Sequence, residues 1–138
     1  MNKALRLTAW VVVIHLLVTL VHGAAHTELA IELPFWMNIY VYVVILAGPI
    51  VALGLIWRGI GRPGYALLFL TMAGSFLFGA YHHFVLESPD HVAHVPAGAW
   101  GTTFAGSAVA LAIIEAAGCA VAIWRWEKLP GASPTETT

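Results

Sequence analysis

The chain has 138 residues, of which 60% are hydrophobic and 9% are charged, and its net charge is −1. Soluble domains carry about 25% charged residues, so a chain this short cannot bury so much apolar surface in a water-soluble core. The balanced charge predicts no nucleic-acid partner, and the single cysteine, Cys119, excludes an intramolecular disulfide and thiolate-rich metal motifs. The composition therefore predicts an integral membrane protein whose first partner is the lipid bilayer.

Four apolar segments have the length of about 20 residues that a membrane-spanning helix requires. In chain order they cover about residues 5–25, 35–57, 64–85 and 99–124. Because the connections are short, consecutive helices are expected to run antiparallel. We therefore predict an all-α fold, an antiparallel bundle of four transmembrane helices over residues 1–128, followed by a flexible cytoplasmic tail over residues 129–138.

The first segment also resembles a secretory signal peptide. Lys3 and Arg6 precede its apolar run, and small residues around Ala24 follow the run. The run is longer than the apolar region of a typical signal peptide, and it contains His15. A retained span is therefore the favoured interpretation, with cleavage as the alternative.

The basic residues predict the orientation of the spans in the membrane. All of them flank the spans on one side, namely Lys3, Arg6, Arg58, Arg62, Arg125 and Lys128. The positive-inside rule makes this side cytoplasmic. We therefore predict a multi-pass protein of the cell (inner) membrane with both termini in the cytoplasm.

Six of the seven histidines lie at the opposite, external ends of the spans. They form HxxxH, HH and HxxH patterns and are His22, His26, His82, His83, His91 and His94. Three carboxylates, those of Glu28, Glu87 and Asp90, lie nearby in the sequence. Residues three or four positions apart project from one face of a helix, so such pairs can bind one ion together.

A short helical turn is predicted over residues 89–95, between the third and fourth spans. Ser88 is suited to cap such a turn, Pro89 to occupy its first position, and Pro96 to end it. The turn would lie at the membrane interface over the mouth of the bundle, and it would carry the HxxH pair.

The histidine pattern predicts a transition-metal site at the external face. Imidazole binds Zn, Fe and Cu, and carboxylates add oxygen ligands. The predicted function is redox or oxygenase-like chemistry, or metal handling. The six histidines also resemble the histidine boxes with which membrane oxygenases and desaturases hold two irons, although the HxxHH box of those enzymes is absent from this sequence.

Two alternatives stay open at this point. A b-type haem needs one axial histidine from each of two helices, and His22 or His26 paired with His82 or His83 would supply them. The chain can also be a non-catalytic accessory subunit that associates with other membrane subunits or with further copies of itself. No nucleophile motif, phosphate loop or dinucleotide fingerprint is present, so the sequence predicts neither catalytic residues nor a substrate.

Two titratable residues, His15 and Glu115, lie deep within the predicted spans. A carboxylate near the bilayer centre costs about 2.5–3.5 kcal/mol, so Glu115 is expected to face protein and to be paired. The two residues have similar predicted depths, which favours an intramembrane His15–Glu115 pair. Since His15 shares a helix face with His22 and His26, the pair is either a clamp between helices or the inner end of a proton or ion path.

Overall fold

The computed structural model describes residues 3–129, and that part of the chain is all-helical, which confirms the predicted class. Its elements are α1 (Lys3–Glu28), α2 (Phe35–Tyr40), a π-helix (Val41–Ala47), α3 (Gly48–Trp57), α4 (Gly61–Phe84) and α5 (Ala99–Glu127). The second, third and fourth of these elements run on from one another as one segment, Phe35–Trp57. Four segments are therefore long and apolar enough to cross a membrane. Their ends lie within three residues of the predicted boundaries, and residues 130–138 of the predicted tail lie outside the described part.

The four segments contact one another in a closed order. α1 packs against α5, α5 against α4, α4 against α3 and the π-helix, and α3 against α1. Within the described residues, α1 makes little or no contact with α2 or the π-helix. The second segment therefore adjoins α1 along α3 and leaves a gap beside the rest of its length.

The π-helix lies directly before the proline of the second segment. Pro49 lacks the N–H that would bond to the carbonyl four residues earlier, so the preceding turn needs another pattern. The N–H of Gly48 bonds to the carbonyl oxygen of Val43, five residues earlier. Wide turns of this kind recur at functional sites, and this one borders the gap beside α1.

The core of the fold lies towards the ends of the segments that carry Arg58, Arg62 and Arg125, which we call the arginine half. Its buried residues are Val12, Ala52, Tyr65, Leu68, Met72 and Ala122. A Cβ atom at Gly64 would lie 2.6 Å from Ile56 Cγ1, so a larger residue there would separate α3 from α4. Helices in lipid associate through such close contacts, because lipid offers no hydrophobic driving force for their association.

The predicted helical turn between α4 and α5 is a series of hydrogen-bonded turns in the structure. The N–H of His91 donates to the carbonyl oxygen of Ser88 at 3.0 Å, and Ser88 Oγ accepts the N–H of Asp90 at 3.3 Å. The N–H of Val92 donates to the carbonyl oxygen of His83 at 3.0 Å, not to the carbonyl four residues before it. This bond to α4 replaces the one that a helix would need, and it holds Asp90 against the end of α4.

Candidate metal centre

Three histidines converge at the other ends of the segments, which we call the histidine half. One ring nitrogen from each of His22, His26 and His83 lies within 4.8 Å of the other two. The first two residues lie one turn apart on α1 and therefore share a face, whereas His83 comes from the last turn of α4. Among the described residues this is the group that can hold a metal ion.

A hydroxyl group on α5 fixes the orientation of the His22 ring. His22 Nδ1 lies 2.8 Å from Ser107 Oγ. The Ser107 hydroxyl donates its own proton to the carbonyl oxygen of Thr103 at 2.6 Å, so Ser107 can only accept a bond from His22. The hydrogen of the neutral His22 ring is therefore on Nδ1.

Backbone carbonyls fix the orientation of the other two rings. His83 Nδ1 donates to the carbonyl oxygen of Asp90 at 3.0 Å. His26 Nδ1 donates to the carbonyl oxygen of Ile31 at the longer distance of 3.4 Å. All three neutral rings thus carry the hydrogen on Nδ1 and a lone pair on Nε2.

Two of these lone pairs face each other. His22 Nε2 lies 3.1 Å from His83 Nε2, with no donor hydrogen between two neutral rings of this tautomer. Such an approach is favourable only with a cation or an added proton at the site. Two nitrogens bound tetrahedrally to one zinc ion, each at about 2.0–2.1 Å, lie about 3.3 Å apart, close to the distance seen here.

Asp90 adds a carboxylate at the edge of the group. Its Oδ1 lies 3.2 Å from His26 Nε2 and 3.4 Å from His83 Nδ1. Neither contact has hydrogen-bond geometry, and this buried oxygen has no hydrogen-bond partner within residues 3–129. Burial raises the pKa of Asp90 above its usual value, although His26 and His82 act in the opposite direction. The carboxylate can offset the charge of an ion bound by the histidines.

A cavity of about 670 Å³ opens beside the three histidines. It occupies the gap between α1 and the π-helix and is closed at the back by α4 and α5. Cavities that bind small molecules commonly measure about 300–1,000 Å³. The histidines line its wall, and Glu115 lines it further along α5.

His15 and Glu115 are in contact at the far end of this cavity. His15 Nε2 lies 3.3 Å from Glu115 Oε1, and the two residues are 0% and 3% exposed. The Thr19 hydroxyl donates to the carbonyl oxygen of His15 at 2.8 Å, which leaves the imidazole free to face α5. The contact joins α1 to α5. Glu115 lies eight residues after Ser107 on α5, which corresponds to about 12 Å along the helix axis.

His82 does not join the three histidines. It differs from His83 by about 100° around α4 and so faces another neighbour. Its ring centroid lies 4.5 Å from that of Phe78 and 6.5 Å from that of Trp36. The structure therefore places His82 against Phe78 of its own helix, on the side of α4 that faces Trp36 of the second segment.

The remaining residues of the sequence prediction lie nearer the surface. His94 Nε2 is 3.0 Å from Glu87 Oε2, and both side chains are solvent-accessible. The His91 ring centroid lies 5.1 Å from that of His94. Glu28 is exposed at the last position of α1. These residues stand apart from the three converging rings.

Ser107 is a site residue that the sequence pattern alone does not indicate. It bonds to His22 and is buried. The available signal was a lone serine in an apolar helix, about two turns from Glu115. A serine in that position is as readily explained by close helix packing, so the sequence alone does not distinguish the two roles.

No protein-family model, curated protein or solved structure matches this chain. The chemistry of the site therefore follows from its geometry. It offers three imidazole nitrogens, one carboxylate that can offset charge, and an adjoining cavity with room for a further ligand.

Proposed function

We propose that this protein is an integral membrane metalloprotein in which His22, His26 and His83 bind one divalent transition-metal ion. The observation that carries the proposal is the convergence of one ring nitrogen from each of three histidines whose Nδ1 atoms each make a hydrogen bond to the surrounding protein. Metal-ligating histidines characteristically donate their other ring N–H to a carbonyl or a similar acceptor. Asp90 supplies a negative charge beside the ion.

The ligand set favours zinc, with iron and copper as the other candidates. Three imidazoles beside a carboxylate that offsets charge suit Zn²⁺ and Fe²⁺, and the absence of a thiolate from the group disfavours Cu⁺. Three protein ligands leave a coordination position for water or substrate, as in catalytic zinc sites. A site that faces a cavity in this way is suited to chemistry on a bound ligand more than to closed storage.

The geometry favours a metal ion over a b-type haem. A bis-histidine haem would need its macrocycle between the two axial rings. The distance of 3.1 Å between His22 Nε2 and His83 Nε2 leaves no room for one there. The metal ion is therefore the preferred occupant, and a visible spectrum of the purified protein distinguishes the two.

We further infer an antiparallel four-helix bundle with the metal site at the external face of the cell (inner) membrane. Two observations support antiparallel packing of α1 and α5: His15 contacts Glu115, and His22, later in α1, contacts Ser107, earlier in α5. The positive-inside rule places the basic ends, and with them both termini, in the cytoplasm. We also propose that the chain associates with other membrane subunits or with a second copy of itself.

The test compares two neighbouring histidines of α4. His83→Ala is expected to lower zinc affinity by more than about 100-fold, because losing a ligand exceeds the 10- to 100-fold cost of losing an outer partner. His82→Ala is the matched control, and it should keep native affinity because His82 packs against Phe78. Metal content by elemental analysis and zinc affinity by competition with a chelator are the measurements.

Three results would reject the proposal. The first is a folded native protein that takes up no metal ion. The second is equal affinity in the two variants. The third is a Soret band in the native protein, which would select haem instead.

A further inference from the structure

We propose that the cavity beside the histidines binds a small amphiphile, whose oxygen-bearing head coordinates the metal ion and whose apolar body extends towards Glu115. The inference rests on the proposed metal site and names the class of molecule that the site takes. Four features carry it: the shape of the cavity, its lining, its closed end and the charge of its metal end.

The cavity is long enough for a short chain. The three histidines and Glu115 line the same space. Ser107, beside His22, and Glu115 are separated by about 12 Å along α5. A ligand bound to the metal ion therefore has one direction in which to extend, along α5 and the π-helix.

The wall between these two ends is mainly apolar. It is formed by Val41, Ile45, Phe78, Ala108, Leu111 and Ala112. Tyr42 also lines the cavity, but this residue is 61% exposed. Two buried hydroxyls interrupt the wall, but Thr19 donates to the carbonyl oxygen of His15 and Ser75 to that of Thr71. Because both protons are used within their own helices, the wall has few donors for a polar ligand and favours a hydrocarbon body.

The cavity ends inside the protein. Beyond Glu115 the arginine half is filled by side chains such as Val12, Leu68 and Met72, which are at most 1% exposed. A molecule that enters from the histidine half therefore cannot pass through. The space has no protein-lined continuation beyond Glu115, which limits the length of chain that it can bury.

The metal end selects the head group. Three neutral imidazoles leave a divalent ion with its positive charge, of which Asp90 offsets one unit. An anionic oxygen donor such as a carboxylate or hydroxamate would complete the neutralisation and fill the open coordination position. The predicted class is thus a short-chain molecule with an acidic oxygen head.

The test uses a series of straight-chain hydroxamates on the zinc-loaded protein in detergent. Affinity, measured by calorimetry, is expected to rise from acetohydroxamate to hexanohydroxamate by up to about fourfold for each methylene buried. Dodecanohydroxamate should lose this gain, because an extended chain advances about 1.2 Å per bond and would pass the 12 Å limit. Equal affinity for all members would overturn the inference.

Matched variants separate the cavity from partition into the micelle. Ala112→Phe fills the apolar wall, whereas Ala117→Phe makes the same change at an exposed position of α5 outside the cavity. The chain-length gain should disappear in the first variant and persist in the second, with acetohydroxamate affinity unchanged in the second. Ile45→Phe, on the facing wall, repeats the test if Ala112→Phe does not fold.

The outcomes distinguish this inference from the metal proposal. A native protein without zinc affinity rejects the metal site and the ligand with it. Zinc binding without a chain-length gain rejects the ligand alone. A gain that is the same in the native protein and in both cavity-filling variants also rejects the ligand, because it would then come from the micelle or the surface.

Discussion

The two halves of the same four segments are built in opposite ways. In the arginine half, glycine contacts bring α3 and α4 together around side chains such as Leu68 and Met72, which are 0% exposed. In the histidine half, the π-helix stands away from α1 around a cavity of about 670 Å³, and histidines and a carboxylate are buried. The first arrangement maximises packing, whereas the second gives up packing for converging lone pairs and open space.

Stability and chemistry are therefore supplied by different lengths of the same helices. An open cavity and unpaired buried lone pairs both lower stability. Close contacts in the arginine half can offset that cost, since van der Waals packing is a main source of helix association in lipid. The histidine half is in turn held by specific bonds, such as Ser107 to His22 and Asp90 to His83.

The largest expected effect comes from breaking the close contact of the arginine half. In Gly64→Val the new side chain would meet Ile56 Cγ1 at 2.6 Å and the Ala52 carbonyl oxygen at 3.2 Å. The free energy of unfolding should fall by about 3 kcal/mol, the upper end of the usual cost of overpacking. Unfolding in a denaturing detergent series would measure it.

The control for this variant is Gly54→Val, where an added Cβ meets nothing within 4 Å. It should unfold like the native protein. Under conditions where Gly64→Val is still folded, its zinc affinity should equal the native value. A large loss of zinc affinity in the folded variant would show that the two halves are not independent.

The second-largest expected effect concerns the hydrogen bond between Ser107 and His22 in the histidine half. Ser107→Ala removes the acceptor of His22 Nδ1 and should weaken zinc binding about 10- to 100-fold, which is about 1.4–2.8 kcal/mol. Ser75→Ala is the matched control, because Ser75 is also buried and donates within its own helix but does not touch a histidine. Chelator competition on both variants is the measurement, and equal losses would contradict a specific role for Ser107.

The sequence predicted the helices well for a physical reason. A run of about 20 apolar residues predicts a membrane span from local sequence alone, and tertiary contacts hardly change where that span begins and ends. The ends of α1, α4 and α5 consequently lie within three residues of their predicted positions. The burial of Glu115 against His15 follows from the same logic, because two mid-span polar residues each need a partner in protein.

Which histidines belong to the candidate site depends on how the helices pack together, so the sequence alone does not predict it. His82 and His83 are adjacent in the sequence, and only the rotation of α4 decides that His83 meets His22 while His82 faces Trp36 of the second segment. In the following loop, the bond from Val92 to His83 places Asp90 inside. The sequence predicts that histidines gather at one end, but packing decides which of them converge.

The cavity gives the clearest case of a feature without a sequence signal. Pro49 predicts a disturbance of the second span, but not the direction in which the helix is displaced. The structure has a π-helix over Val41–Ala47 and a gap between it and α1. The size of that gap depends on how four segments pack together, and apolar residues facing a cavity look the same in sequence as those facing lipid.

The smallest expected effect concerns the contact where the two halves meet. Glu115→Gln keeps an oxygen acceptor near His15 Nε2, 3.3 Å away in the native protein, and removes the charge. If the pair is a clamp, the free energy of unfolding should change by less than about 1 kcal/mol, and zinc affinity should stay within about twofold of the native value. Glu115→Leu should cost about 1–3 kcal/mol, because it leaves a buried imidazole without its partner. Unfolding and zinc competition on both variants are the measurements. A tenfold loss of zinc affinity in Glu115→Gln would mean that the Glu115 charge acts on the metal site. The pair would then be the inner end of a path to that site instead of a clamp between the two halves.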